Sequence, residues 1–483
     1  MGKKKKKIVE RVTITGIADK GRSVGRDEEG QVLFVDRVAP GDVVDVMVLK
    51  KKNGYMEGIP KVFHTYSEDR VDPFCQHYGV CGGCRWQHVS YEAQLVNKEQ
   101  VVRHTLKRIG KVKIEQFFSI LPSDPITYYR NKMEFTFSNK RWLTRKEIDE
   151  GVSNFEDVLG FHRPGAFDKI VNIKHCFLQE EPSNHVRNTL RQIAHDQSLT
   201  FFDLRNKAGF LRNVMVRITT TGEIMLILSF FEEDVEKRTA YLDEILKQLP
   251  EVTSLHYCIN GKPNDFILDL DIHTYKGPGF IEEMLGDVRF QIGPKSFFQT
   301  NTRQAVRLFN VVRDFADLQG TENVYDLYTG IGSIALYLAK SCKQIVGIEE
   351  VEMAIKDAKI NSKLNGIENT IFYAGDVREI LGKEFAEKHG RPDVLITDPP
   401  RAGMHKNVVR ILLKLEAPKI VYVSCNPATQ ARDLNLLSAK YDVIKVQPVD
   451  MFPHTHHIET VALLQLRSTR SWWKRLLHPL ISS

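Results

Sequence analysis

Residues 323–336 read NVYDLYTGIGSIAL. A β-branched and aromatic run ends at Tyr328, Gly330 and Gly332 make a tight turn, and an Ile-Ala-Leu stretch of helical character follows. Strand, glycine turn and helix in that order open a parallel sheet whose ligands bind at the carboxyl ends of its strands. The Gly-x-Gly-x-x-Ala spacing by itself fits a dinucleotide, another nucleoside cofactor, or close helix packing. The rhythm then repeats: QIVGIE, TIFYAG, DVLITD and KIVYVS are short apolar runs, each followed by a helical stretch, and DVIKVQPVD and IETVALLQL come after them. Seven strands with this connectivity predict an α/β, doubly wound, Rossmann-like domain.

The strand tips carry the chemistry. Glu349 closes the second strand, where a carboxylate can accept hydrogen bonds from both ribose hydroxyls of an adenosine. Asp376 follows the third and is placed to meet an adenine. Either carboxylate could instead cap a helix. The fourth tip reads ITDPPRAG, in which two prolines fix the backbone and hold Asp398 in the cleft. A base-modifying methyltransferase has a use for such a carboxylate in holding a ring. The fifth tip reads IVYVSCNPAT: Asn426 suits a helix cap, Pro427 a first helical position, and Cys425 then sits beside a helix N-terminus that favours thiolate. A thiolate adding to carbon 6 of uracil makes carbon 5 nucleophilic, and a base must afterwards remove the carbon 5 proton. MFPHTHHIETVALL offers His454, His456, His457 and Glu459. Glu459, which opens the last strand, is the expected base, and the histidines are expected to shape the pocket or meet RNA phosphates.

The ordered motifs SFFQTN (296–301), DLYTGIG, VGIE, DPPRAG, VSCNPAT and PHTHHIET resemble the S-adenosylmethionine-dependent RNA (uracil-5-)-methyltransferases, from the amino-terminal barrel to Leu466. YYRNKMEF (128–135) is similar to that family's central domain. The amino-terminal barrel is similar to the TRAM domain of its 23S ribosomal-RNA branch. The resemblance implies Cys425 as nucleophile and Glu459 as base, with Gln299, Tyr328, Glu349, Asp376 and Asp398 lining the cofactor and uracil site. Tyr328 stands where Phe is common, Thr329 where Cys is common and Ser333 where Asn is common.

FCQHYGVCGGCRWQH places Cys75, Cys81 and Cys84 within ten residues, and Cys176 stands far downstream in IKHCFLQ. Four thiolates of this spacing accommodate tetrahedral zinc or a four-iron cluster, and the neighbouring glycines favour iron by letting amides approach sulfides. The resemblance implies a [4Fe-4S] cluster on these four, structural or RNA-positioning in role because methyl transfer moves no electrons.

From Val9 to about Phe63 the pattern is of short alternating strands between Gly and Pro-Gly turns, which predicts a small barrel of the oligonucleotide-binding type. Lysines flank it at Lys3 to Lys7 and Lys50 to Lys52, an electrostatic footprint for phosphates, although the net charge of +7 over 483 residues is modest. Composition is 42% hydrophobic and 27% charged, with no apolar run of spanning length and no secretory pattern at the start. Seven cysteines, an odd number, argue against a disulfide framework, and a cytoplasmic, non-membrane protein is expected; a monomer is expected as well. The expected domains are a barrel (1–64), an α+β region with the cysteines (65–290), a methyltransferase domain (291–470) and a basic tail (471–483). Methylation of a uridine in 23S ribosomal RNA is the expected activity. The alternatives are a transfer-RNA uridine-5 methyltransferase and an inert metal-containing RNA-binding protein.

Overall fold

The structure is a computed structural model that describes residues 7–18 and 21–467. Lys3 to Lys6 and the basic tail lie outside the described residues.

Strands β1 (Ile8–Ile17), β2 (Ser23–Arg26), β3 (Val32–Val35), β4 (Val43–Lys52) and β5 (Tyr55–Thr65) close a barrel in the order β1-β2-β3-β5-β4. Alternation produces it: Val12, Ile14, Leu33, Val35, Val44, Val46 point inward and are buried. Four strand-like segments are visible in the sequence there. The fifth strand, SVGR at β2, is too short to announce itself and exists because barrel closure pairs it with β1 and β3.

Next come the helix Tyr91–Thr105 and β6 (Ile114–Phe117). A seven-stranded sheet follows, built from β7 (Lys132–Lys140), β8 (Phe155–Arg163), β9 (Ala166–Asn172), β10 (Leu211–Ile218), β11 (Ile224–Phe230), β12 (Ser254–Ile259) and β13 (His273–Lys276) in the order β13-β12-β11-β10-β7-β8-β9. The helices Ser183–Asp196 and Val235–Gln248 pack on one face through Leu190, Ile193, Tyr241 and Ile245. Met215, Met225 and Ile227 from the other face enter the core of the carboxyl-terminal domain.

After a hairpin, β14 (Ile281–Leu285) and β15 (Val288–Ile292), the chain forms the expected doubly wound sheet. Its strands are β16 (Asn323–Leu327), β17 (Gln344–Glu349), β18 (Thr370–Ala374), β19 (Val394–Thr397), β20 (Lys419–Ser424), β21 (Tyr441–Val449) and β22 (Glu459–Leu466). The order is β18-β17-β16-β19-β20-β22-β21-β6, with β22 antiparallel to both neighbours. β20 shows why the central strands are apolar runs: Ile420, Val421, Tyr422 and Val423 are all buried between helix layers.

The eighth strand departs from the expected boundary at 65–290. β6 pairs in parallel with β21, and Val102 and Leu106 share a core with Val408, Leu412 and Leu434, so this stretch joins the methyltransferase layer. No described helix is long and apolar enough to cross a membrane.

Candidate active site

The first turn is built as its spacing predicts. Tyr328, Gly330 and Gly332 have φ of 64°, 58° and 81°, which lets the chain reverse from β16 into the helix Ser333–Leu338. A Cβ at Gly330 would point into open space, so the turn leaves room for a ligand against bare backbone. Glu349 accepts hydrogen bonds from Gly330 N (3.1 Å) and Val351 N (3.0 Å), which fixes its carboxylate at the tip of β17.

Asp376 caps the helix Val377–Ile380, accepting from Arg378 N at 2.7 Å, and its carboxylate is engaged by the Arg378 guanidinium. Those bonds pull its pKa down to about 2. The expected adenine contact therefore shares Asp376 with a capping role.

Asp398 directly follows β19, its amide donating to Leu327 O at 3.3 Å, and burial raises its pKa to about 7. Asp326, in β16, is buried and also raised to about 7, by burial and then by the nearby Asp398 charge. The Thr329 hydroxyl donates to Asp326 Oδ2, while the other oxygen, Oδ1, is buried without a partner.

At the next tip Asn426 caps the helix Pro427–Leu437, accepting from Ala428 N (3.1 Å), and Pro427 takes the first helical position. Asn426 Nδ2 also donates to Arg401 O (3.0 Å), joining the fifth tip to the fourth. Cys425 and Glu459 meet here because β22 runs antiparallel to β20, so the start of one lies beside the end of the other, with Ser424 opposite Thr460.

The expected thiolate is corrected by these surroundings. Burial, then the carboxylates of Glu459 and Asp398, pushes the Cys425 thiol up to about 11, with Arg401 pulling it down. A helix N-terminus contributes about 0.3–1 kcal/mol, too little to offset that burial. Glu459, 6% exposed, is held well above the ordinary carboxylate range, by burial first and Asp398 second.

Gln299 is held through its backbone. Its carbonyl accepts from Asn131 Nδ2 (2.8 Å), and the neighbouring Thr300 carbonyl accepts from Asn131 N (2.8 Å), so YYRNKMEF clamps the SFFQTN segment.

Residues 280–467 match the tRNA (uracil-5-)-methyltransferase family, and residues 4–61 match the TRAM domain. A Bacteroides thetaiotaomicron protein named as an uncharacterized RNA methyltransferase is 50% identical over 455 residues, 93% of this chain and 100% of that one. A Porphyromonas gingivalis protein of the same name is 50% identical over 459 residues, 93% of this chain and 98% of its own. The Pyrococcus abyssi tRNA (uracil-54, C5)-methyltransferase, solved with S-adenosyl-L-homocysteine, superposes with a TM-score of 0.73 at 30% identity, covering 94% of this chain and 100% of that one.

The chain belongs to the uracil-5 RNA methyltransferases. Within this uracil-5 methyltransferase, two cleft residues escaped the reading of the sequence. Arg401 sits beside Cys425, Glu459 and His457, lying 3.4 Å from His457 Nδ1. Its signal was its place directly after the locked Asp398-Pro-Pro. Asp326 was hidden inside an apolar strand, where a lone carboxylate is itself the signal.

The methyltransferase's Cys75, Cys81, Cys84 and Cys176 line one cavity of about 370 Å³, whose lining includes neither Cys425 nor Glu459. Gly83 N donates to Cys81 Sγ at 3.4 Å, as the glycine spacing predicts. Behind Cys176 lies Arg187, 1% exposed, bonded to Asn184 Oδ1 and Lys174 O, its Nε without a partner. A buried cation and four thiols suit an anionic group. Among the described residues no group of three His, Cys, Asp or Glu side chains converges closely enough to hold a single metal ion. The thiols ring a space rather than a point.

Proposed function

We propose that this protein transfers a methyl group from S-adenosylmethionine to carbon 5 of a uridine in structured RNA, through a covalent bond between Cys425 and carbon 6. The observation that carries the proposal is the convergence of Cys425, Glu459, Asp398 and Arg401 at neighbouring strand ends, close enough for their charges to act on one another. The open glycine turn and Glu349 suit an adenosine, with Gln299, Tyr328, Asp376 and Asp398 as the other cofactor contacts. A cleft of raised carboxyl groups suits a sulfonium cation, whose charge would help them ionise. When bound, the cofactor supplies an electrophilic methyl group.

Cys425 adds to carbon 6 as its proton passes to solvent water, and the electron pair of the carbon 5–carbon 6 double bond passes to carbon 5 and the carbonyl at position 4. Arg401 stabilises the thiolate, and Asp398 holds the pyrimidine edge. Once carbon 5 carries the methyl group, Glu459, in its ionised form beside Arg401, takes the proton from that carbon, the carbon 6 to sulfur bond breaks, and Cys425 is freed. The uridine reaches this depth by flipping out of its stack.

The barrel and the cysteine loop beside the methyltransferase fold support 23S ribosomal RNA as substrate and a division of labour near 1–64, 65–290 and 291–470, with the helix Tyr91–Thr105 and β6 joining the last. Cys75, Cys81, Cys84 and Cys176 would hold a [4Fe-4S] cluster. A ring of thiols around a cavity supports a many-atom group over a single zinc ion. A second reading, transfer RNA, is favoured by the Pyrococcus abyssi neighbour, whose coverage includes the whole of that chain. The protein is proposed to act as a monomer in the cytoplasm.

Cys425→Ala should abolish methylation while RNA binding survives, and Glu459→Gln should trap an enzyme-RNA adduct visible on a denaturing gel. Full activity of the alanine variant would overturn the mechanism. Mapping 5-methyluridine in ribosomal and transfer RNA from a deletion strain chooses between the two substrates. Absence of heat on titrating S-adenosylmethionine would instead point to an inert RNA-binding protein.

A further inference from the structure

The loop between β21 and β22 leads directly into Glu459, and residues from other segments hold it. Four consecutive carbonyls are gripped from outside: Met451 O by Asn301 Nδ2 (3.0 Å), Phe452 O by Lys98 Nζ (3.1 Å), Pro453 O by the Tyr129 hydroxyl (3.0 Å), and His454 O by the amides of Arg85 (2.8 Å) and Trp86 (3.1 Å). His454 itself has φ of 63°, a conformation that side chains other than glycine resist and that must be imposed.

Gln94 imposes it. This residue of the helix Tyr91–Thr105 is 0% exposed; its Oε1 accepts from His454 N (2.9 Å), and its Nε2 lies 3.2 Å from His454 Nδ1. The same nitrogen donates to Trp86 O (3.1 Å) and Val89 O (2.8 Å), which ties the His454 backbone to the segment just after Cys84. From there order passes toward the base: Thr455 Oγ1 donates to Phe452 O (2.8 Å) and accepts from His457 N (3.2 Å), two residues before Glu459.

We propose that Gln94 and Tyr129 are positioning residues for Glu459, setting from segments more than three hundred residues away along the chain where that carboxylate meets carbon 5. The inference rests on the reading of Glu459 as the base. Glu459 acts only after methyl transfer, so misplacing it slows elimination more than addition. General loss of structure slows both alike.

The experiment compares Gln94→Met and Tyr129→Phe with wild type and Glu459→Gln, using S-adenosylmethionine and total RNA from a deletion strain. Adduct is read on a denaturing gel, turnover by label incorporation, and cofactor affinity by calorimetry. Gln94→Met should lower turnover about tenfold, as losing one or two buried hydrogen bonds does, with adduct raised several-fold and cofactor affinity unchanged. Tyr129→Phe, which loses one hydroxyl and decides alone if the glutamine variant does not fold, should move both readouts the same way by less. Wild-type adduct levels in the folded variants, with adduct abundant in Glu459→Gln, would overturn the positioning role alone. No adduct in Glu459→Gln would remove the base assignment and the inference with it.

Discussion

Cys425 is a weak acid in an acidic cleft, and the pH dependence follows from its surroundings. A thiol pushed up to about 11 is neutral below that pH and thiolate above it. Alkylation of Cys425 in the free enzyme should therefore climb about tenfold per pH unit from 8 to 10, reach half its maximum near 11 and level above that. A plateau already at pH 8 would show a thiolate held down by forces other than those described. Arg401→Gln removes a lowering influence, so the profile should move to higher pH, measured by the same alkylation series against Cys425→Ala. The residue identities were legible from the strand tips. Their ionisation was not, because desolvation depends on what a fold buries around a side chain, and Asp398 and Glu459 lie 27 and 34 residues from Cys425 along the chain.

Asn426 shows how an element serves the site twice. Its side-chain oxygen caps the helix Pro427–Leu437, and its nitrogen holds the Arg401 carbonyl. Asn426→Ala should cost about 1 kcal/mol of stability, the usual value of a lost cap, read by urea unfolding. Asn426→Asp keeps the capping acceptor but brings a like polarity against the Arg401 carbonyl, so it should hold stability to within about half that cost while methylation falls. Equal activity in the aspartate variant would deny the link between the two tips. The cap was readable in SCNP. The second bond joins residues 25 apart, and only the packing of β19 beside β20 brings them together.

At the scale of the whole molecule the three regions meet around the loop that ends at Glu459. Lys98 and Asp450 form a fully buried pair at 2.6 Å, with the Tyr91 hydroxyl 2.9 Å from the same carboxylate. Lys98→Met leaves Asp450 buried and unpaired, which should cost about 3–5 kcal/mol in urea unfolding. A loss below about 1 kcal/mol would mean that the pair does not hold the helix to the loop. The barrel reaches the same loop: Gly21, at φ of 70°, gives its carbonyl to Trp86 Nε1 (3.0 Å), and an added Cβ would stand 2.6 Å from His456 Cβ. Gly21→Ala should therefore cost about 1–2 kcal/mol and lower turnover while cofactor affinity holds, checked by unfolding and calorimetry.

By itself the sequence determined the alternation of strands and helices, the glycine turn, the capped helix after Cys425 and the list of acidic tips, because each is set by local patterns of burial and backbone freedom. It could not place β6, whose short run IEQF has no sheet of its own and pairs with β21 across more than three hundred residues. Nor could it show that Gln94, an ordinary polar residue in a helix, grips the loop before the proposed base. Tertiary structure alone decided these, since a hydrogen bond between distant segments leaves no mark in either segment until the chain has brought them together.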